Sequence, residues 1–346
     1  VAGLADILNK AGIPVFGPSK AAAQLEGSKV FAKDLMKKYN IPTAAYGVFH
    51  KVDEAKAFIA QTGAPIVVKA DGLAAGKGVV VAMTIDEANV AVEDMLSGNR
   101  FGDAGSTVVI EEFMEGEEAS LLAFVDGKTV VPMIASQDHK RIFDGDKGPN
   151  TGGMGTYAPA PVLTDALRDA AMKTILEPMV AAMEKEGMPY VGCLYAGLMI
   201  TDEGPKVVEF NARFGDPETQ VVLPLLDSDL GEIMMACAKG TLTSNMVKWK
   251  DSSAACVILA SKGYPETSSK GDVISGDIKQ YDTTIVFHSG TKLVGENYVT
   301  NGGRVLGVVG LGKDLRTALD RAYERIEHID FEGMQYRTDI GAKAFK

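Results

Sequence analysis

The sequence predicts a multidomain protein of α/β and α+β architecture, and three observations lead to this prediction. With 346 residues, the chain is longer than one ordinary hydrophobic core supports. Over most of its length, short apolar segments typical of strands alternate with segments of helical periodicity. From about residue 252 the pattern changes to short strands between Gly, Asp and Ser turns, and it ends in one helix.

The N-terminal segment predicts a helix, a strand and a second helix. The chain starts inside an amphipathic helix, and AGIPVFGP at 11–18 has the composition of a strand. Because a lone helix and strand cannot bury both of their faces, we expect residues to be missing before Val1. Residues 19–40 predict one helix that begins at a serine cap and ends at Asn-Ile-Pro.

The next segments predict a small lobe and two hairpins. The lobe, from about Tyr46 to Glu112, has the order helix, strand, glycine-rich loop, strand, helix, strand. One hairpin turns at Asp126-Gly127 and the other lies within 194–218, and an irregular segment at 137–162 and a helix at 165–187 separate them. The predicted domains are 1–45, an N-terminal remnant with its connecting helix; 46–112, the small lobe; 113–251, a large lobe; and 252–346, a C-terminal α+β domain.

Composition excludes several classes of function. The net charge of −11 and the pI near 5.0 disfavour nucleic acid or an anionic membrane as a partner. The three cysteines lack C-x-x-C spacing, which argues against both a disulfide framework and a zinc site and favours a cytoplasmic location. Neither a G-x-S-x-G motif nor a cysteine–histidine pattern suggests a protein nucleophile, and we expect the four histidines to be structural, with His139 in QDHKR the strongest candidate for a functional role.

The glycine-rich loop in KADGLAAGKGV, residues 69–79, is the first candidate for chemistry. Glycines let backbone N–H groups approach phosphate oxygens, and Lys69 at a strand end supplies a positive charge. The loop lacks the spacing of a Walker sequence. Taken alone, it is equally consistent with a flexible hairpin that carries two solvated lysines.

Two acidic segments are the other candidates. In VVIEEFMEGEEAS, a strand that runs into a connector can present its backbone to an adenine edge and a carboxylate to a ribose, although exposed edge carboxylates are the simpler interpretation. In KVVEFNARF, alternation places Glu209, Asn211 and Arg213 on one side of a strand. The carboxylate and amide oxygens of the first two suit Mg²⁺, and a polar strand edge is the alternative.

Eight characteristic segments follow one another along the chain: QLEGSK (24–29), KADGLAAGKGV (69–79), IEEFMEGEEAS (110–120), SQDHKR (136–141), GPNTGGMGTY (148–157), EFNARFGDPETQ (209–220), SGTKL (289–293) and TNGGRVL (300–306). The most specific parts are RFGDPE and the NTGGMG loop. Together and in this order, the motifs resemble the ATP-grasp ligases and, within them, the phosphoribosylamine–glycine ligase (glycinamide ribonucleotide synthetase) family. The resemblance extends over essentially the whole chain.

The resemblance implies an ATP-grasp fold, with a remnant of an N-terminal Rossmann-like domain and a small C-terminal α+β domain. It implies ligation of glycine to 5-phosphoribosylamine through glycyl phosphate, a reaction of purine biosynthesis that uses ATP and Mg²⁺, with Mn²⁺ as an alternative metal. A protein nucleophile is not needed for this chemistry. It also suggests a cytoplasmic monomer or weak homodimer.

The resemblance also implies roles for individual residues. The ATP-binding residues are Lys29, Lys69, Gly72, Gly76, Gly78, Glu111, Phe113 and Glu118, and the metal ligands are Glu209 and Asn211. The residues around glycine and the sugar substrate are Asp138, Lys140, Asn150, Gly152, Gly153, Gly155 and Arg213, and the candidates for a direct part in the chemistry are Lys69, Asp138 and Arg213.

Two departures from the family leave alternatives open. The strand LYAGLMI has no acid where many ATP-grasp enzymes carry a further metal ligand. The chain also begins after the glycine-rich segment that helps the family to hold the sugar phosphate. The alternatives are another ATP-grasp ligase or carboxylase, which RFGDPE disfavours, and an N-terminally truncated ATP-binding fragment without full activity.

Overall fold

A computed structural model describes residues 1–72, 78–96 and 106–345. Gly76 and the predicted end of the helix at 86–98 lie outside these ranges. The helices are α1 (Leu4–Lys10), α2 (Gln24–Gly27), α3 (Lys29–Lys38), α4 (Val52–Thr62), α5 (Ile85–Leu96), α6 (Asp165–Ala171), α7 (Glu177–Lys185), α8 (Thr219–Val222), α9 (Leu230–Lys239) and α10 (Leu315–Ile326). A π turn at Met172–Leu176 joins α6 to α7, and 3₁₀ turns lie at Leu223–Leu225, Ser244–Met246 and Ala342–Phe345.

The strands in the same ranges are numbered in chain order. They are β1 (Tyr46–Phe49), β2 (Ile66–Ala70), β3 (Val79–Ala82), β4 (Val108–Glu112), β5 (Glu117–Asp126), β6 (Val130–Pro132), β7 (Gln137–Asp138), β8 (Arg141–Phe143), β9 (Lys147–Asn150), β10 (Gly155–Ala158), β11 (Val191–Thr201), β12 (Gly204–Asn211), β13 (Ser253–Ala260), β14 (Ser275–Gly276), β15 (Thr284–His288), β16 (Thr291–Val294), β17 (Asn297–Thr300), β18 (Arg304–Gly312) and β19 (Ile329–Asp330).

The chain divides into two compact units, each made of three separate segments. Unit 1 consists of Val1–Pro132, Asp165–Arg213 and Leu230–Met246, and unit 2 consists of Met133–Thr164, Phe214–Asp229 and Val247–Lys346. This division groups segments by contact and not by chain order. The four domain ranges predicted from the sequence stay a prediction.

The first sheet of unit 1 forms the small lobe. Its strand order is β1-β4-β2-β3, and the paired strands are antiparallel. Helices α4 and α5 pack on it through a core that includes Ile59, Val68, Val92 and Ile110. Lys69 lies near the end of the central strand β2, opposite Val79 on one side and Val109 on the other. The sheet of the small lobe therefore fixes the backbone position of Lys69, one of the predicted site residues.

The second sheet of unit 1 has the order β12-β11-β5-β6. It contains both predicted hairpins, β5–β6 and β11–β12, which are therefore confirmed. The Asp126 carboxylate stabilises the first turn because its Oδ1 accepts hydrogen bonds from the N–H groups of Lys128 (3.1 Å) and Thr129 (2.7 Å). Helices α6 and α9 pack against this sheet, and α2 and α3 pack against β12.

Two local predictions for the N-terminal segment are wrong. Residues 19–40 do not form one helix, because Ser28 is extended (φ −140°, ψ 119°) and its Oγ accepts a hydrogen bond from Phe31 N as the N-cap of α3. Residues 11–18 do not form a strand. They close helix α1 instead, since Ile13 N donates to Leu8 O, and the Ile13 side chain is half exposed.

Unit 2 is built on a five-stranded sheet of order β15-β18-β13-β10-β7 with antiparallel pairing. Helix α10 covers it through Ala318, Leu319, Ala322 and Ile326, as its amphipathic pattern predicts. The segment 137–162, expected to be irregular, contributes β7 and β10 to this sheet and the β8–β9 ribbon beside it. These strands have two to four residues each, too short to show periodicity.

None of the helices within the described ranges has the length and apolar character needed to cross a membrane.

Candidate active site

The predicted site residues fall in both units, so each group is described by itself. Unit 2 carries the residues at 138–155, from Asp138 to Gly155. Unit 1 carries Lys29, Lys69, Gly72, Gly78, Glu111, Phe113, Glu118, Glu209, Asn211 and Arg213.

A buried cluster of charges lies at the centre of the unit 1 group. Glu111 Oε2 is 2.9 Å from Lys33 Nζ and 3.0 Å from Lys69 Nζ, so two ammonium groups share one carboxylate oxygen. The three side chains are only 2–4% exposed. Lys69 Nζ also donates to Val208 O at 3.0 Å, next to the predicted metal ligand Glu209. Glu111 is therefore not the exposed edge carboxylate of the simpler interpretation.

Lys33 belongs to this cluster although the sequence analysis did not select it. Its ammonium group donates to Thr43 Oγ1 at 2.8 Å and to Ala44 O at 3.4 Å. Burial lowers the pKa of Lys33 to about 8, and the Glu111 carboxylate opposes this shift. A signal was present in the sequence, because Lys33 lies among the buried Ala32, Leu35 and Met36 on the apolar face of α3. A lysine at such a position needs a partner.

Lys29 stands at the N-terminus of α3 and lies in the electrostatic field of the same cluster. Its ammonium group donates to Gly72 O at 3.1 Å. Burial lowers the pKa of Lys29, and the Glu209 carboxylate is the strongest influence in the opposite direction. Both Glu209 and Lys69 therefore act electrostatically on Lys29, and a ligand shared by the three stays a prediction.

Asp71, also absent from the sequence prediction, fixes the start of α3. Its Oδ1 accepts hydrogen bonds from the backbone N–H groups of Lys29 (2.6 Å) and Val30 (3.2 Å), and both carboxylate oxygens accept from Ser28 Oγ at 3.2 Å. The negative charge at a helix N-terminus is favourable. Asp71 thereby ties the residue before Gly72 to the backbone of Lys29.

The end of β12 presents the predicted metal ligands. Glu209 is opposite Gly197 on β11, and a Cβ at this glycine would be in van der Waals contact with Glu209 Cγ at 3.4 Å. Asn211 is 8% exposed. Arg213 Nη2 donates to Asn211 Oδ1 at 3.4 Å, and Arg213 Nε is paired with Glu26 Oε1 at 3.1 Å. Glu26, a further residue that the sequence analysis missed, orients Arg213.

A divalent cation fits this donor set only in part. Glu209 and Asn211 alternate with Phe210 on β12 and supply one carboxylate and one amide oxygen. In the described ranges there is no group of three or more His, Cys, Asp or Glu side chains that could hold a metal by itself. Mg²⁺ suits such an incomplete set, because it is commonly held by one or two protein oxygens together with phosphates and water.

Phe113 and Glu118 flank the connection between the two sheets of unit 1. Phe113 follows β4 and is half-buried, whereas Glu118 is exposed on β5 opposite Met199 of β11. Gly72 and Gly78 lie on either side of residues 73–77, and Gly78 O accepts a hydrogen bond from Ala70 N at 2.8 Å. The roles of these four residues stay predictions.

In unit 2, Asp138 and Gly153 are packed together. Asp138 Oδ1 accepts a hydrogen bond from His139 N at 2.7 Å, and Lys140 Nζ lies 3.9 Å from Asp138 Oδ2. Gly153 has a φ of +112°, and a Cβ there would lie 2.5 Å from Pro217 Cδ and 2.8 Å from Asp138 Oδ1. The position therefore requires glycine for both its backbone conformation and its close approach to Asp138.

Arg304 holds the same glycine loop, although the sequence analysis gave it no role. Arg304 Nη1 donates to Gly152 O at 2.7 Å and to Asp216 O at 2.8 Å, and Nη2 is paired with Asp216 Oδ2 at 3.3 Å. Gly152 N donates to Tyr264 Oη at 2.9 Å. The available signal was the arginine after two glycines in TNGGRVL, one of the matching segments.

The remaining predicted residues of unit 2 lie on short strands. Asn150 ends β9 opposite Arg141, and Gly155 begins β10 opposite Val257. His139 is buried, its Nδ1 lies 3.1 Å from Gly155 O, and its Nε2 accepts from Gly341 N at 3.4 Å. Burial, with Arg337 and Lys343 nearby, lowers its pKa to about 4. A neutral imidazole with a hydrogen-bond contact at each ring nitrogen agrees with the expected structural role.

Two family models match the chain. The phosphoribosylglycinamide synthetase ATP-grasp (A) domain matches residues 27–219, and the phosphoribosylglycinamide synthetase C domain matches residues 254–343.

Similar proteins cover nearly all of the chain. A phosphoribosylamine–glycine ligase of Halalkalibacterium halodurans is 54% identical over 344 residues, which is 99% of this chain and 80% of the relative. One of Neisseria meningitidis is 54% identical over 345 residues, with 99% and 82% covered.

Solved structures agree. The phosphoribosylamine–glycine ligase of Thermotoga maritima has a TM-score of 0.86 and 38% identity, with 94% of this chain and 82% of that chain covered. A biotin carboxylase of Campylobacter jejuni has a TM-score of 0.77 at 16% identity, with 96% and 73% covered, and this likeness concerns the fold alone.

Proposed function

This chain belongs to the phosphoribosylglycinamide synthetase family and has an ATP-grasp fold, and from this premise we propose how its residues perform the family's reaction. The chain is an ATP-dependent ligase of purine biosynthesis. In our proposal it joins glycine to 5-phosphoribosylamine and releases glycinamide ribonucleotide, ADP and phosphate. The observation that carries the proposal is the placement of two buried ammonium groups near the end of β12: Lys69 Nζ donates to Val208 O, next to Glu209 in the chain, and both Lys69 and Glu209 act electrostatically on Lys29.

The reaction needs activation of a carboxylate, which is a poor electrophile. A glycine carboxylate oxygen attacks the γ-phosphorus of ATP, the bond from that phosphorus to the β–γ bridging oxygen breaks, and glycyl phosphate and ADP form. The amine of 5-phosphoribosylamine then attacks the acyl carbon, phosphate leaves, and the amine loses a proton. Because both the nucleotide and the carboxylate are anionic, positive charge is the main contribution that the protein must supply.

In unit 1, Lys29 and Lys69 are the proposed contacts to the phosphates. Their ammonium groups are held by Gly72 O and Val208 O, so they are positioned before the ligand arrives. The connector with Glu111 and Phe113 is the proposed adenine side, and Glu118 is the proposed partner of the ribose hydroxyls. Gly72, Gly76 and Gly78 are the proposed phosphate-loop glycines.

Glu209 and Asn211 are the residues that would hold Mg²⁺, and Mn²⁺ could take its place. When bound, the metal would neutralise charge on the transferring phosphoryl group. Arg213, which Glu26 fixes by an ion pair, would face the reacting carboxylate and phosphate. A guanidinium group suits this task because it stays charged and presents several donors.

In unit 2, the proposed contacts to glycine and the sugar substrate are Asp138, Lys140, Asn150, Gly152, Gly153 and Gly155. Asp138 would bind an amino group and Lys140 an anionic one, since their side chains offer opposite charges 3.9 Å apart. We keep as proposals a cytoplasmic location, a monomer or weak homodimer, and the absence of nucleic-acid and membrane partners. Three buried free cysteines suit a reducing compartment.

The test is ADP release in the presence of Mg²⁺. It is measured with glycine alone, with 5-phosphoribosylamine generated in situ alone, and with both, while the amide product is followed by mass spectrometry. We expect turnover only with both substrates. The Lys69→Met variant should lose this turnover, whereas the matched Lys51→Met variant at an exposed lysine of the same lobe should retain it.

Each alternative predicts a different result. ADP release that depends on bicarbonate would indicate a carboxylase and overturn the proposed substrates. Nucleotide binding without turnover under any condition would indicate an ATP-binding fragment and overturn the proposed reaction.

A further inference from the structure

The cluster of Lys33, Lys69 and Glu111 carries one more positive than negative charge. Both ammonium groups contact Glu111 Oε2, at 2.9 and 3.0 Å, and the other carboxylate oxygen, Oε1, is buried without a hydrogen-bond partner within the described part of the chain. Two ammonium groups that share one carboxylate oxygen in a site only 2–4% exposed are costly unless a further anion balances them. The cluster is therefore arranged for an anionic ligand.

The two lysines differ in what else they contact. Lys33 is fixed by Thr43 Oγ1 and Ala44 O, and the Thr43 hydroxyl donates in turn to Val207 O at 2.7 Å. Among the residues that the structure describes, the Lys69 ammonium group contacts the backbone oxygen of Val208 and Glu111, and it stands near the end of β2, shortly before the glycine-rich loop. Lys33 is therefore the cation with more fixed contacts among the described residues, and Lys69 is the one beside the glycine-rich loop, where the phosphates are proposed to bind.

We propose that Lys33 is a positioning residue for nucleotide binding: it neutralises Glu111, so that the positive charge of Lys69 remains available to the phosphates. The inference rests on the proposed function for the identity of the anion. Without Lys33, Glu111 and Lys69 form a neutral pair, and each phosphate contact of Lys69 must compete with Glu111. Lys33 acts through Glu111 and Lys69 and is not itself a proposed contact of the substrate.

The surroundings of Lys33 give this role a pH signature. The groups that face it are Glu111 and Glu112 from β4, Lys69 from β2, the Thr43 hydroxyl and the Tyr46 ring, whose centroid is 5.7 Å from Nζ. Burial lowers the pKa of Lys33 to about 8. Above that pH, Lys33 loses its proton in the ligand-free protein. Glu111 then pairs with Lys69 alone, and nucleotide affinity falls because Lys69 is neutralised.

The experiment measures MgATP binding by calorimetry between about pH 7 and pH 9.5 for the wild type and three variants. Lys33→Met should raise the Kd at pH 7 about tenfold, the effect of losing one charge-assisted contact, with the KM for glycine changed less than about twofold. Lys33→Arg should retain tight binding and lose the weakening above pH 8, because a guanidinium group does not titrate there. The control, Lys37→Met, alters an exposed lysine of the same helix and should match the wild type.

Other results would overturn the inference. One is an unchanged Kd in Lys33→Met. Another is an equal rise in the Kd for ATP and the KM for glycine together with a lowered melting temperature, which would make Lys33 merely structural. If Lys33→Met does not fold, a Lys33→Arg variant with the wild-type pH dependence overturns it equally well. Failure of the proposed function is separate, because it appears as wild-type protein that binds ATP without ligase turnover.

Discussion

At the scale of single residues, Glu111 and Lys69 should differ sharply in their effect on stability. Replacing Glu111 by Gln leaves two buried ammonium groups without their carboxylate, and we expect the free energy of unfolding to fall by roughly 3–5 kcal/mol. Replacing Lys69 by Met leaves the pair of Lys33 and Glu111, which is 2.9 Å apart, so the loss should be much smaller. Urea denaturation of both variants at pH 7 measures the difference, and equal losses would contradict the shared-carboxylate arrangement.

Glu209 is the residue for which metal dependence gives the most direct test. The Glu209→Gln variant keeps the shape of the side chain and removes the charge that a divalent cation requires. We expect the Mg²⁺ concentration for half-maximal activity to rise by about tenfold or more. Glu203→Gln, at an exposed carboxylate in the turn of the same hairpin, is the matched control and should behave as the wild type. An unchanged Mg²⁺ titration in Glu209→Gln would remove this residue from the site.

Some residues of the candidate site could be predicted from the sequence, and others could not. Glu209, Asn211 and Lys69 stand out because their types and spacing suggest chemistry before any partner is known. Glu26 and Arg304 do not stand out in the sequence, because each has a role only through a hydrogen-bond partner far along the chain. Arg213 lies 187 residues from Glu26, and Gly152 lies 152 residues from Arg304. The sequence shows which residues are charged, whereas the fold determines which residue each of them pairs with.

At the scale of elements, hairpins were easier to predict than helix boundaries. The β5–β6 and β11–β12 hairpins carry their own turn residues, so local sequence determines them. The break between α2 and α3 combines the local N-cap Ser28 with Asp71, whose carboxylate accepts from Ser28 Oγ, Lys29 N and Val30 N from 41 to 43 residues away. Because the helical periodicity continues through Ser28, the pattern predicts one helix. Hydrogen bonds from a residue as distant as Asp71 cannot be inferred from that pattern.

The cap of α3 should be coupled to nucleotide binding. Asp71→Ala removes the acceptor for Lys29 N and Val30 N, and we expect a loss of about 1 kcal/mol in stability together with weaker ATP binding. Asp314→Ala is the matched control, because Asp314 caps α10 by accepting from Thr317 N at 2.7 Å. It should cost similar stability without affecting ATP binding. Equal Kd values for ATP in the two variants would show that Asp71 serves the helix alone.

At the scale of the whole molecule, segments that are neighbours in the sequence do not always belong to the same compact unit. The predicted domains are continuous ranges, whereas each compact unit collects three segments of the chain. The short strands β7 and β10 enter the sheet that contains β13 and β18, which lie far along the chain. Periodicity within a segment predicts its own structure and not the sheet it enters. For this reason the fold class could be predicted from patterns, while the ATP-grasp architecture required the resemblance of whole motifs.

The stability of the protein against acid should depend on His139, which connects three distant parts of unit 2 through Gly155 O and Gly341 N. Burial and the nearby Arg337 and Lys343 lower its pKa from 6.5 to about 4 in the folded state. Between these values the unfolded chain binds a proton that the native protein does not, so stability falls as the pH decreases through this window. From pH 7 to pH 5 this one group should cost about 2 kcal/mol.

Urea denaturation of the wild type and of His139→Gln at these two pH values measures that cost. The variant lacks the titrating group, so its free energy of unfolding should change less between pH 7 and pH 5, by about the same 2 kcal/mol. His50→Gln, at an exposed histidine after β1, is the control and should retain the wild-type difference. Asp277 and Asp339, whose pKa values are lowered to about 2, contribute only at more acidic pH. Equal pH dependence in the wild type and His139→Gln would show that His139 binds its proton in the native protein as readily as in the unfolded chain.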